Sequence, residues 1–85
     1  MKNFKYIIKD PEGIHARPAT TIVQATKKFT SKIQLKKDGD TVDAKRMFGI
    51  MSLGAKKGEE IEFIFDGEDE ENACEKVKAI VEENL

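Results

Sequence analysis

Asp38-Gly39 separates two short runs of alternating apolar and polar residues, and no other local signal constrains the fold as tightly. Ser31 to Lys37 places Ile33 and Leu35 on one face, and Thr41 to Ala44 places Val42 and Ala44 together. Alternation of period two describes a strand with one buried face. Asp-Gly between two such runs suits the positive φ angles of a two-residue hairpin turn. The two strands are therefore antiparallel neighbours, and any fold for the chain must contain them.

The remaining segments alternate between the two periodicities. Phe4, Tyr6 and Ile8 interleave with Lys5, Ile7 and Lys9, the pattern of a first strand. After the turn-forming stretch Asp10-Pro11-Glu12-Gly13, Ala19, Ile22, Val23 and Thr26 recur at helical spacing and Phe29 closes the stripe. This predicts a helix from about Ala16 to Lys28, with Pro18 in its first turn, where a missing N–H is tolerated. A short helix is expected from about Met47 to Leu53, with Gly54 as its C′ residue. Glu60 to Asp66 is a strand with Ile61, Phe63 and Phe65 on its core face. A last helix opens on Glu68-Asp69-Glu70-Glu71, favourable charges at an N-terminus, and carries the stripe Ala73, Val77, Ile80 and Val81. The order is βαββαβα. Strands apolar mainly on one face call for a single sheet covered on one side, an α+β open-faced sandwich with three helices on one face of a four-stranded sheet.

Residues 1–85 make one domain, without repeats or linkers. The 15 lysines and arginines against 16 acidic residues leave a net charge of −1, so no broad nucleic-acid footprint is indicated. No stretch is long and apolar enough to enter a membrane, and no secretory signal opens the chain. The single cysteine, Cys74, makes neither an internal disulfide nor a paired metal site, and a cytoplasmic location fits best. Neither a metal nor a cofactor is called for.

The chemistry concentrates in Gly13-Ile14-His15-Ala16-Arg17-Pro18. His15, the only histidine, falls at or just before a helix N-terminus, where free N–H groups and the dipole favour negative charge. That setting disfavours an imidazolium and leaves a neutral, nucleophilic ring. Arg17 offers a guanidinium able to hold a phosphate once attached. A lone histidine is often only a surface or capping residue. A nucleophilic nitrogen, an anion-binding helix start and a nearby arginine together describe a site that takes up and passes on a phosphoryl group.

Gly13-Ile14-His15-Ala16-Arg17-Pro18-Ala19, with Met51-Ser52-Leu53-Gly54 downstream, resembles the HPr family, the histidine phosphocarriers of the bacterial phosphoenolpyruvate-dependent sugar phosphotransferase system. The resemblance runs from Phe4 to Leu85. It implies an antiparallel sheet in which the first and fourth strands are adjacent. It also implies that His15 carries phosphate on Nδ1, that Arg17 contacts the phosphoryl group, that enzyme I loads His15, and that IIA domains of sugar permeases unload it. A monomer without cofactor, acting as a stoichiometric carrier rather than an enzyme, is the implied form.

Two surfaces beside His15 are candidate docking regions. Arg17, Thr20, Gln24 and Lys27 share the helix face opposite the core stripe, spaced three or four apart. Such a face is ordinarily just solvated. The short helix holds Met47, Phe48, Ile50, Met51 and Leu53, more apolar residues than two turns can bury, so Met47 or Phe48, with Met51, should point outward as adaptable contacts. The resemblance places enzyme I and IIA binding in this region. It also exposes a departure: where many Gram-positive relatives have a serine phosphorylated by a regulatory kinase, this chain has Arg46. Arginine has no hydroxyl and is a poor N-cap.

Other classes fit less well. A regulatory HPr-like phosphocarrier or binding module acting in signalling would keep His15 and meet different partners. A small metal chaperone would need paired cysteines in its first loop. A stand-alone enzyme would need a second catalytic group and a pocket.

Overall fold

Folding this chain packs one face of a sheet against helices, in the order set by the alternation of period two and period 3.6. A computed structural model describes all of residues 1–85. The elements are β1 (Lys2–Ile7), α1 (Ala16–Thr26), β2 (Lys32–Lys37), β3 (Asp40–Asp43), α2 (Met47–Ser52), β4 (Glu60–Asp66) and α3 (Glu70–Asn84). The strands form one antiparallel sheet in the order β1-β4-β2-β3, so the first and fourth strands are adjacent and β4 is an inner strand.

The register follows the apolar pattern. Phe4 lies opposite Phe63 and Lys2 opposite Phe65 across β1 and β4, while Ile33 faces Phe65 and Leu35 faces Phe63 across β2 and β4. Phe4 and Phe63 stack with centroids 5.1 Å apart, and Phe65 joins them at 5.9 and 6.4 Å. Ile33, Leu35, Ile61, Phe63 and Phe65 are shut off from water, as are Ala19 and Ile22 of α1 and Ala73, Val77 and Val81 of α3. A slip of one residue in any inner strand would turn this set to the solvent side, so burial fixes the register.

Several boundaries move, each for a physical reason. The hairpin turn is the expected pair, with φ +49° at Asp38 and +87° at Gly39. Its second strand, however, is Asp40–Asp43 rather than Thr41 to Ala44. Ala44 has left the ladder yet is fully buried, its N–H still donating to Ile33 O at 2.9 Å, and Val42 is only half-buried. Helix α1 stops at Thr26, two residues short of Lys28, where the buried Thr26 hydroxyl donates to Ala44 O at 2.9 Å. That bond ties α1 to the connection leading into α2. Helix α2 ends at Ser52, and Gly54 beyond it takes φ +58°, the left-handed value of a C′ residue. Ile80 is half-buried at the flank of α3, so the stripe there is Ala73, Val77 and Val81, extended by Leu85.

The acidic start of α3 also behaves differently. The helix begins at Glu70, and Asp69 turns back onto the loop before β2. Its carboxylate accepts the N–H groups of Thr30 and Ser31, each at 2.9 Å, and the Ser31 hydroxyl. These bonds, the Ser31 hydroxyl first, hold its carboxyl at about 2, below the ordinary 3.8. A carboxyl depressed in the folded state contributes stability that is complete above its unfolded value and is lost as pH falls from about 4 toward 2. Asp69→Asn should therefore be less stable than the parent at pH 7, and its urea midpoint should fall less steeply over that acid range. Parallel denaturation curves at pH 7, 4 and 3 measure both effects.

Candidate functional site

The loop before α1 is held at both ends by backbone bonds, and that is what presents His15. The N–H groups of Lys9 and Asp10 both donate to Leu85 O at 2.7 Å, so the end of α3 clasps the loop as it leaves β1. Asp10 Oδ1 accepts the Glu12 N–H at 2.8 Å, and Asp10 O accepts the Gly13 N–H at 2.9 Å, closing a tight turn. Gly13 takes φ +69° and presses against Ala55 and Lys56, where a Cβ would come within 2.9 Å of the Lys56 Cα. Glycine is needed here both for the left-handed angle and for the close approach. Ile14 is then buried, its N–H donating to Ala55 O at 3.0 Å.

This leaves His15 as the N-cap of α1, in extended backbone geometry. Its carbonyl accepts the Ala19 N–H at 3.1 Å, but its side chain makes no capping bond. The ring is 33 % exposed. The N–H groups of Ala16 and Arg17 find no partner in the chain, and Pro18 has none to offer. Arg17 is exposed and pairs with no carboxylate. An accessible imidazole, two free backbone donors and an unengaged guanidinium thus gather at one helix start, which favours a multiply charged oxyanion.

Two carboxylates complete the site in a way that the turn signal alone did not reveal. His15 Nε2 lies 3.7 Å from Asp10 Oδ2 and 3.6 Å from Glu12 Oε2. The ring therefore stands between the free N–H groups of the helix start and two carboxylates that face its Nε2. The clue available in sequence was spacing: Glu12 stands three residues before His15, within a segment already marked as a turn. The side-chain ends of Asp10, Glu12 and His15 thus lie within 4.8 Å of one another.

The two expected docking surfaces prove to be continuous. Arg17, Thr20, Gln24 and Lys27 are all exposed along α1. The Thr20 hydroxyl reaches Met47 Sδ at 3.9 Å, joining the strip to α2. Of the apolar residues of α2, Ile50 is fully buried, Met47 packs partly against the core, and Phe48 and Met51 are 86 % and 38 % exposed. Phe48, with Met51, is thus the outward pair. A groove of about 830 Å³ lies between the end of α1 and α2, lined by Lys27, Lys45, Arg46 and Phe48 among others. His15 is not part of it; the strip on α1 runs from one to the other.

Arg46 caps α2 in position only. It takes φ −120°, ψ +123° and makes no side-chain cap bond. Its Nε sits 3.5 Å from Asp43 Oδ2, an exposed pair. Asp43 itself braces the turn, accepting the Lys45 N–H at 2.9 Å through Oδ1 and the Arg46 N–H at 3.1 Å through its carbonyl. Lys45 donates to Phe29 O at 2.7 Å, tying the loop that follows α1 to this connection, a contact that alternation patterns do not report.

Comparison with known proteins finds relatives over nearly the whole chain. The family model "PTS HPr component phosphorylation site" matches residues 2–83. The chain is similar to the HPr-like protein Crh of Bacillus subtilis, with 47 % identity over 73 residues, 86 % of each chain. It is 41 % identical over 85 residues to the phosphocarrier protein HPr of Mycoplasma genitalium, covering 99 % of this chain and 97 % of that one. The crystal structure of the HPr of Thermoanaerobacter tengcongensis superposes with a TM-score of 0.93 at 40 % identity, over 99 % of this chain and 94 % of that one, and the same organism's HPr has also been solved as a dimer.

Serine at position 46 would accept a free N–H of α2, a gain of about 0.5–2 kcal/mol. It would lose only an exposed ion pair worth about 0.2–1 kcal/mol. Arg46→Ser should therefore raise stability by about 0.5 kcal/mol, read as a higher urea midpoint with an unchanged slope.

Proposed function

The chain belongs to the HPr family of the phosphotransferase system, and on that premise we propose that it is a phosphocarrier that accepts a phosphoryl group on His15 from phosphorylated enzyme I and passes it to sugar-specific IIA domains. The observation that carries the reading is the accessible His15 imidazole at the N-cap of α1, beside unpaired backbone N–H groups and an unpaired Arg17. A dianionic phosphoryl group attached to that ring would meet donors instead of a desolvated surface. Arg17 would hold the group during transfer. Thr20, Gln24, Lys27, Met47, Phe48 and Met51 would form the face presented to both partners, with Phe48 as its apolar anchor. The proposed carrier is monomeric, cytoplasmic and stoichiometric, and it turns over only because its partners do.

A regulatory role, in which the same phosphohistidine or the same face meets signalling partners, is the second reading, and the similarity to the HPr-like protein Crh favours it. The two readings part at the acceptor: a sugar-uptake carrier must deliver phosphate from His15 to a IIA domain.

Incubation with phosphoenolpyruvate and a bacterial enzyme I, followed by intact mass spectrometry at neutral pH, should add one phosphoryl group. The adduct should be labile in acid and stable in base, and His15→Ala should abolish it. An acid-stable adduct, or one that persists in His15→Ala, would place the phosphate on a hydroxyl and overturn the reading. Arg17→Ala should slow loading far more than it lowers the melting temperature, because the Arg17 side chain is exposed and makes no ion pair within the chain. Equal loading rates would remove Arg17 from the mechanism.

A further inference from the structure

Imidazole presents two nitrogens, and either can be the nucleophile, depending on which one carries the proton. The structure separates them. Asp10 and Glu12 approach the ring at Nε2, at 3.7 and 3.6 Å, from the turn that precedes the helix. Neither carboxylate pairs with a lysine or arginine, although the chain carries 15 of them. Asp10 is also held in place. Its Oδ1 is occupied by the Glu12 N–H at 2.8 Å, which directs Oδ2 toward the ring, and its own N–H is clasped by Leu85 O at 2.7 Å. Its side chain is 25 % exposed, against 76 % for Glu12. Asp10 is therefore the better-anchored anion and Glu12 the more exposed one.

We propose that Asp10 and Glu12 are positioning residues that hold the proton of His15 on Nε2 and so make Nδ1 the nitrogen that takes and releases the phosphoryl group. This rests on the reading of His15 as a phosphoryl carrier. Two effects act together. The anions favour a proton at the nitrogen that they face, leaving the lone pair on Nδ1. They also repel an incoming phosphoryl dianion from the Nε2 edge, while the free N–H groups of Ala16 and Arg17 and the Arg17 guanidinium favour it at the helix start.

The transfer step balances without a further reactant. The Nδ1 lone pair forms a bond to phosphorus, and the bond from phosphorus to the donor breaks, its electron pair leaving with the donor. Nε2 keeps its proton, so the ring gains one positive charge and meets two carboxylates within ion-pair distance. On release to an acceptor, the N–P bond breaks, its pair returns to Nδ1, and the ring is neutral again. The carboxylates neither take nor give a proton. Distances of 3.6 and 3.7 Å are those of ion pairs rather than hydrogen bonds, so the effect is one of charge and is sized accordingly.

The test uses histidine labelled with ¹⁵N in the parent, Asp10→Asn, Glu12→Gln and the double variant. Asparagine keeps the oxygen that accepts the Glu12 N–H, so the turn is preserved. Long-range ¹H–¹⁵N spectra of the unphosphorylated proteins, recorded in alkali where the ring is neutral, should place the proton on Nε2 in the parent and raise the Nδ1–H fraction severalfold in the double variant. Loading by phosphoenolpyruvate and enzyme I should slow about tenfold in the double variant, two partly exposed charge pairs acting together. Asp10→Asn should account for most of this, and Glu12→Asp, which keeps the charge, should retain most of the parent rate. A common tautomer in all four proteins overturns the proposal, even if rates fall, because a rate effect alone would mark these residues as docking contacts. Absence of loading in the parent would instead defeat the carrier reading, and the tautomer spectra would still decide this one.

Discussion

Burial of Phe63 and Phe65 on the inner strand β4 is the constraint on which the rest of the molecule depends. Both rings are fully shut off from water, and Phe4 of β1 stacks against them while Leu35 and Ile33 of β2 face them across the ladder. Removing one such ring from a small core costs about 3–5 kcal/mol, a large part of what a domain of this size has to spare. The helices are placed by the same surface. Ile22 and Ala19 of α1 and Val77 and Ala73 of α3 belong to the cluster that covers it, so the helix carrying the site is oriented by contacts remote from the site.

Hydrophobic burial fixes the axis of α1 but not its first residue. That is decided by polar contacts of the loop: Leu85 O on the Lys9 and Asp10 N–H groups, the Asp10 turn, and the close approach of Gly13 to Ala55. Each is short-ranged and directional, so together they set where the helix starts and how the His15 ring leaves it. The outcome is a ring between two fields, the free N–H groups of the helix start and two carboxylates at Nε2. At the far end of α1 similar bonds, from Thr26 to Ala44 O and from Lys45 to Phe29 O, tie down the connection that leads into α2 and its exposed Phe48.

Strands and helices were legible because their signals are local. The bounds of β4, the Asp38-Gly39 turn, the left-handed Gly54 and His15 at the mouth of α1 follow from residues within a few positions of one another. Exposure of Phe48 with Met51 was legible for a similar reason, since two turns of helix cannot turn five apolar residues inward. Ala44 was rightly read as inward but wrongly kept in its strand, whereas the burial of Val42 and Ile80 was overestimated, because both are only half-buried and how far each is covered depends on neighbours distant in sequence.

By itself, then, the sequence determined the order of elements, the apolar face of each, the family and the candidate histidine, because periodicity, turn chemistry and a short motif act over a few residues. Only the tertiary structure decided which side of the His15 ring meets anions, why Asp69 serves the loop before β2 rather than capping its own helix, and how the α1 strip meets α2. These are matters of distance between groups 3 to 39 residues apart, and distance across a fold is set by packing and directional bonds that no local pattern encodes.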